Sequence, residues 1–172
     1  MTHSRQTTWA ELMLRSCYPR GTFIAPMHAP YVSISDAWSH CVMPFDADAQ
    51  SQDGELRQAI LRSIDKFIER LKTQKPDIEV RATRTGPAHV EFVINGHFRD
   101  RKFIRARLRR AVSCAYRSVT GSKLHWREDW AALLTTEEQR TRCSTRFCIP
   151  ELGIAPGPDE CYDSFVNEVM MA

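Results

Sequence analysis

Between residues 56 and 71 the apolar residues Leu56, Ile60, Ile64, Phe67 and Leu71 recur at spacings of 4, 4, 3 and 4, the clearest pattern in the chain. That spacing follows the 3.6-residue turn of an α-helix and not the two-residue alternation of a strand. Leu61 and Ile68 widen the stripe, while Arg57, Arg62, Asp65, Lys66 and Glu69 occupy the other sides. The segment predicts an amphipathic helix of about five turns with one face that must be buried. Lys72, Lys75 and then Pro76 close it, because cations suit the carbonyl end of a helix and proline cannot continue one.

Around this helix the periodicity is that of strands. Tyr31-Val32-Ser33-Ile34-Ser35 opens a strand over residues 31–43, which Pro44 and the stretch 46–52 end. Ile78, Val80 and Ala82 alternate with Glu79, Arg81 and Thr83, and after Gly86-Pro87 the residues Ala88, Val90, Phe92 and Ile94 alternate with His89, Glu91 and Val93. Two further strands follow. Asn95-Gly96 is a strong hairpin signal, since both residues tolerate the positive φ of a type I′ turn, so a third strand is expected over residues 98–104. Leu108, Ala111, Val112, Ala115 and Val119 mark a second helix stopped by Gly121. Residues 1–30 contain one short helical possibility near Trp9 and Leu14 among prolines, and read as an irregular basic arm. They fit either a mitochondrial presequence or an arm lying on RNA. Beyond Trp126 the pattern fades into an acidic extension expected to lie on another surface.

A chain of 172 residues has room for one compact domain with extensions, and 42% hydrophobic with 26% charged residues is ordinary globular composition. Pervasive disorder and a collagen-like fold are excluded. No apolar stretch reaches the roughly 18 residues of a membrane span, and the N-terminus lacks a secretory apolar core, so a soluble intracellular protein with no membrane partner is expected. The formal net charge of +3 hides an asymmetry. Residues 81–127 carry 12 Lys/Arg against 2 Asp/Glu, whereas residues 128–172 carry 3 against 9. Arg99, Arg101, Lys102, Arg105, Arg107, Arg109 and Arg110 form the centre of the basic block, with Asp100 its one acid. Guanidinium groups bind phosphate in bidentate fashion, so these seven residues are the candidate contacts to a folded RNA backbone, without a base code. A solvated basic face balanced by the acidic extension is the alternative.

Some of these residues carry a resemblance. The helix ends in Phe67-Ile68-Glu69-Arg70, and Lys75-Pro76-Asp77-Ile78-Glu79-Val80 leads the next strand. Phe92-Val93-Ile94-Asn95-Gly96 follows Pro87, and the last helix stops at Ser118-Val119-Thr120-Gly121-Ser122-Lys123. Over residues 31–124 this resembles the thioredoxin-like mitochondrial ribosomal proteins, a family that also includes an accessory subunit of respiratory complex I. The resemblance implies a reduced thioredoxin-like α/β fold: strand, long helix, strand, antiparallel hairpin, helix. It divides the chain into an arm (1–30), a domain (31–124) and a cysteine-bearing C-terminal extension (125–172). It further implies a non-enzymatic structural component of the mitochondrial ribosome in the matrix, in contact with ribosomal RNA and neighbouring ribosomal proteins. The extension is closest to that of the small-subunit member; the large-subunit member and the complex I subunit are the alternatives.

The six cysteines bear on chemistry. Disulfide exchange needs two thiols about one helical turn apart at a helix start, and Cys41, followed by Val42-Met43-Pro44, has no resolving partner. An oxidoreductase is therefore disfavoured, and Cys17, Cys41 and Cys114 are expected to be buried structural thiols. Cys143, Cys148 and Cys161 lie on a proline-containing extension and are the candidate metal ligands for zinc or an iron-sulfur cluster, completed by His125 or by a neighbouring protein. In line with the resemblance, sharing with a neighbour is the favoured form. Trp126 and Trp130 are expected to pack against the domain. The six histidines are scattered, with no catalytic constellation around them.

Overall fold

The computed structural model describes residues 8–28, 38–46, 54–86, 88–95 and 98–147. In chain order the elements are α1 (Trp9–Cys17), β1 (Ile24–Pro26), β2 (Trp38–Pro44), α2 (Gly54–Gln74), β3 (Glu79–Thr85), β4 (His89–Asn95), α3 (Phe98–Thr120), β5 (Trp130–Leu134) and α4 (Glu137–Phe147). The class is mixed α/β. The strands form one sheet in the order β1-β5-β2-β4-β3, and every described pairing is antiparallel.

The apolar stripe of α2 behaves as its spacing demands: Leu56, Ile60, Ile64 and Leu71 are buried. They pack with Ile104, Leu108, Val112 and Tyr116 of α3 and with Cys41, Met43, Val90, Phe92, Ile94 and Ala131 of the sheet. The opposite sheet face is also covered. Val42, Val93, Trp130, Ala132 and Leu134 pack under Ala10, Leu14 and Tyr18 from α1 and its end, and under Cys143 of α4. Antiparallel sheets commonly leave one face to solvent; here helices cover both. Thr8 caps α1, its Oγ1 accepting the Glu11 N–H at 3.2 Å.

The expected strand over residues 98–104 is instead the beginning of α3. Ile104, Leu108, Val112 and Tyr116 are all buried and step by four residues, so the helical period already governs at residue 104. Asn95 ends β4, and the chain passes into a helix instead of returning as a strand. The antiparallel hairpin is the preceding one, β3 to β4, where the Gly86 N–H donates to the His89 carbonyl at 2.9 Å. A Cβ on Gly86 would overlap the His89 ring, so this close approach requires glycine. Pro87 and Gly96, the latter expected in a type I′ turn, lie outside the described residues. Gly121 stops α3 with φ +72°, its N–H donating to the Arg117 carbonyl at 2.9 Å.

The sheet also crosses the boundaries expected at residues 30 and 124. Residues 24–26 supply its edge strand β1, and residues 130–134 supply β5, paired with β1 on one side and β2 on the other. Trp130-Ala-Ala-Leu-Leu is buried at all five positions, so it shows no alternation that would mark it as a strand. With β5 included, β2-α2-β3-β4-α3-β5 in the order β5-β2-β4-β3 is a split β-α-β arrangement, with both long helices on one face. This differs from the expected order, which has the second strand of its hairpin at residues 98–104.

Candidate nucleic-acid interface

The seven cations of the basic block point in different directions because a helix distributes them. Arg101 falls on the same stripe as Ile104, Leu108 and Val112, and it is only 2% exposed, donating to the Ser39 Oγ at 2.9 Å. It is a core residue and presents no surface to phosphate, contrary to its expected role. Arg105 and Arg109, one turn apart, converge on the buried carboxylate of Asp129; Arg105 donates to it from Nε, and Arg109 Nη2 lies 3.3 Å away. Arg109 also donates to the Arg127 carbonyl at 3.2 Å and lies 5.3 Å from the Trp126 ring centre. These two residues anchor the chain leading into β5. Lys102 is exposed, and the Arg99 side chain lies outside the described residues.

Arg107 and Arg110 remain on the outer side of α3, where α2 meets them. A groove of about 470 Å³ runs between the two helices, lined by Ser63, Lys66, Phe67 and Arg70 of α2 and by Arg107, Arg110, Ala111 and Cys114 of α3. The Ser63 hydroxyl donates to the Ala111 carbonyl at 2.9 Å and ties the helices together at the groove. Among the described residues, four cations line it and no carboxylate does. None of the four forms an ion pair with another described residue, and all four side chains are exposed. The Arg107 guanidinium is held 5.2 Å from the Phe103 ring centre, which Lys75 approaches at 4.6 Å. Lys66 and Arg70 are absent from the expected contacts because they sit in a segment of near-neutral charge. Their i, i+4 spacing puts them on one face of α2, and only the packing of α2 against α3 joins that face to Arg107 and Arg110.

A second charged cluster is buried on the opposite side of the sheet. Glu91 Oε1 accepts from His40 Nε2 at 3.0 Å and from Arg146 Nε and Nη2 at 3.1 and 3.0 Å. Glu91 Oε2 accepts from His89 Nε2 at 3.3 Å. The Tyr18 hydroxyl lies 2.7 Å from His40 Nδ1 and donates to it, which leaves the proton on Nε2 for Glu91. Burial pushes the Glu91 carboxyl upward, but the bonds from His40 and His89 and the Arg146 charge outweigh it and hold the group well below its usual range. Burial lowers the His40 pKa, against the pull of Glu91, and raises that of Tyr18. Phe147 meets the His40 ring edge-on at 4.9 Å, and Trp9 lies 4.9 Å from the His89 ring. The cluster clamps the last turn of α4 and the start of α1 onto the sheet. The alternation of His89 and Glu91 with Val90 and Phe92 reads as a solvated strand face, and only the covering helices make it an interior one.

The thiols are separated. Cys41 is buried and its pKa is raised by burial, Cys17 is half-buried, and Cys114 is exposed at the groove instead of buried as expected. Position 114 lies one turn beyond Arg110 on the outward row of α3, off the stripe of Leu108 and Val112. Cys143 faces inward beside Tyr18, its pKa pushed up to about 12 by burial. Cys148 and Cys161 lie outside the described residues. Among the described residues no group of three or more His, Cys, Asp or Glu is arranged to hold a metal ion. His125 is exposed in the loop before β5. Trp130 is buried, and Trp126 packs edge-on against Phe45 at 5.5 Å and donates to the Ser113 Oγ at 2.9 Å. No described helix is long and apolar enough to cross a membrane.

Compared with models of known protein families, with curated proteins and with solved structures, the chain shows no match.

Proposed function

We propose that this protein is a non-enzymatic RNA-binding component of a ribonucleoprotein, holding folded RNA by its phosphates across α2 and α3. The observation that carries this reading is the groove lined by Lys66, Arg70, Arg107 and Arg110, with no carboxylate among its described lining residues. Cations on two packed helices are held at fixed separations, which suits a phosphate backbone better than a mobile basic tail does. The sheet itself is not the platform. Recognition domains with a split β-α-β sheet stack bases on aromatic residues of the open face, and here α1 and α4 cover that face. The resemblance of residues 31–124 to the thioredoxin-like mitochondrial ribosomal proteins rests on short motifs and not on the strand order. It directs the proposal to the mitochondrial ribosome, with the small subunit first, and to ribosomal RNA and neighbouring ribosomal proteins as partners.

The test compares two variants of equal charge. Replacing Lys66, Arg70, Arg107 and Arg110 with Gln should weaken binding of the full chain to an RNA hairpin on the order of a hundredfold at low salt, because four phosphate contacts are lost. Replacing Arg15, Arg20, Arg140 and Arg142 with Gln removes the same charge from α1, α4 and the turn after α1, and should change affinity little. Equal losses in the two variants would show that net charge, and not this groove, binds the RNA.

A further inference from the structure

The groove that supports RNA binding lies within reach of a polyanion belonging to the same chain. Residues 148–172 contain Glu151, Asp159, Glu160, Asp163 and Glu168 and no Lys or Arg. Within them Tyr162, Phe165, Val166, Val169 and Met170 recur at i, i+3, i+4, i+7 and i+8, the spacing of one helical face. The segment thus combines acidic and apolar groups. The groove offers the complementary set: four cations beside the Phe67 and Ala111 side chains.

The fold ends α4 beside the edge strand of the sheet. Although α4 lies on the opposite sheet face, the Arg146 carbonyl in its last turn accepts from Arg84 Nη1 at 3.3 Å. Arg84 belongs to β3, the edge strand, and α2 packs with β3 against the same core. The last described turn of α4 thus lies by the β3 edge of the sheet, the strand that α2 contacts from the other face. The twelve residues from 148 to 159 span up to roughly 40 Å when extended, the thickness of several packed layers.

We infer that residues 159–170 dock in the groove between α2 and α3 as an intramolecular stand-in for the polyanion, and that an incoming RNA must displace them. The inference rests on reading the groove as a polyanion site. A tethered competitor acts at high effective concentration, so modest intrinsic affinity is enough to occupy the site. Its consequence is selectivity: an RNA that engages all four cations displaces the segment, and one that engages fewer does not.

Two thiols make the docking observable without RNA. Cys114 is exposed in the groove lining, and Cys161 lies within the acidic segment. Treating the full chain at low salt with a short bismaleimide should give a Cys114–Cys161 cross-linked peptide. Its yield should fall several-fold in high salt, and in a variant carrying Asp159→Asn, Glu160→Gln, Asp163→Asn and Glu168→Gln. Cross-links of Cys161 to other cysteines in place of Cys114, or a yield unmoved by salt and by neutralisation, would overturn the inference. In the same neutralised variant, affinity for an RNA hairpin should rise about tenfold, as expected when a site free about a tenth of the time becomes fully available. An unchanged affinity would show that the segment does not compete. A persistent cross-link with no RNA binding by either form would instead uphold the docking and refute the RNA reading of the groove.

Discussion

Glu91 shows how one buried side chain ties local sequence to global packing. Its carboxylate receives bonds from two histidines and one arginine drawn from β2, β4 and α4, and none of these partners is near enough in sequence for the set to be recognised there, except His89. Glu91→Gln would leave Arg146 buried against a neutral amide and should cost about 3–5 kcal/mol, measured by urea unfolding. The pH dependence has a defined sign. His40 is held below its unfolded value, so as pH falls below about 6.5 the unfolded state takes up a proton that the folded state refuses, and stability declines. Glu91 is also depressed, so its contribution is complete above about 4.3 and is lost as pH falls through its lower folded value. Urea midpoints measured from pH 8 to pH 3 should therefore fall in two stages, and His40→Gln should remove the first. A midpoint flat down to pH 5 in the unsubstituted protein would contradict the assignment of His40 as a neutral, buried partner.

At the scale of elements, legibility follows how many faces an element buries. α2 exposes one side, so its stripe is visible in the residues themselves. β5 buries both faces and is an unbroken apolar run of five residues, too short for periodicity to identify. The start of α3 misleads for another reason: Asn95-Gly96 satisfies the local rule for a hairpin, but the burial of Ile104, Leu108, Val112 and Tyr116 along one line decides the outcome. Tertiary packing overrides the turn signal. These assignments predict a pattern of amide exchange. The amides of residues 131–133, paired between β1 and β2, should be among the slowest in the protein, together with those of β2 and β4. Fast exchange there, comparable with the ends of α4, would mean that β5 is a loosely docked extension and not a strand of the sheet.

For the whole molecule, the charge asymmetry is informative but overstated by counting. Of the basic residues in the block 81–127, Arg101 is in the core, Arg105 and Arg109 are held by Asp129, and Arg127 pairs with Asp46. The cations available at the groove are Arg107 and Arg110, joined by Lys66 and Arg70 from a segment whose charges nearly cancel. A linear sum cannot anticipate this, because the relevant surface is made where two helices meet. Two layers of helix on a closed-in sheet leave the outer side of α2 and α3 as a face that combines rigidity with positive charge unpaired by any described carboxylate. The measurement that tests this most directly is ultraviolet cross-linking of the full chain to an RNA hairpin, followed by mapping of the nucleotide-bearing peptides. Phe67 and Cys114 are the photoreactive side chains lining the groove, so adducts should appear on both α2 and α3, centred on residues 63–70 and 107–114. Adducts confined to α1 and α4, or absent from α2, would contradict an RNA site between the two long helices.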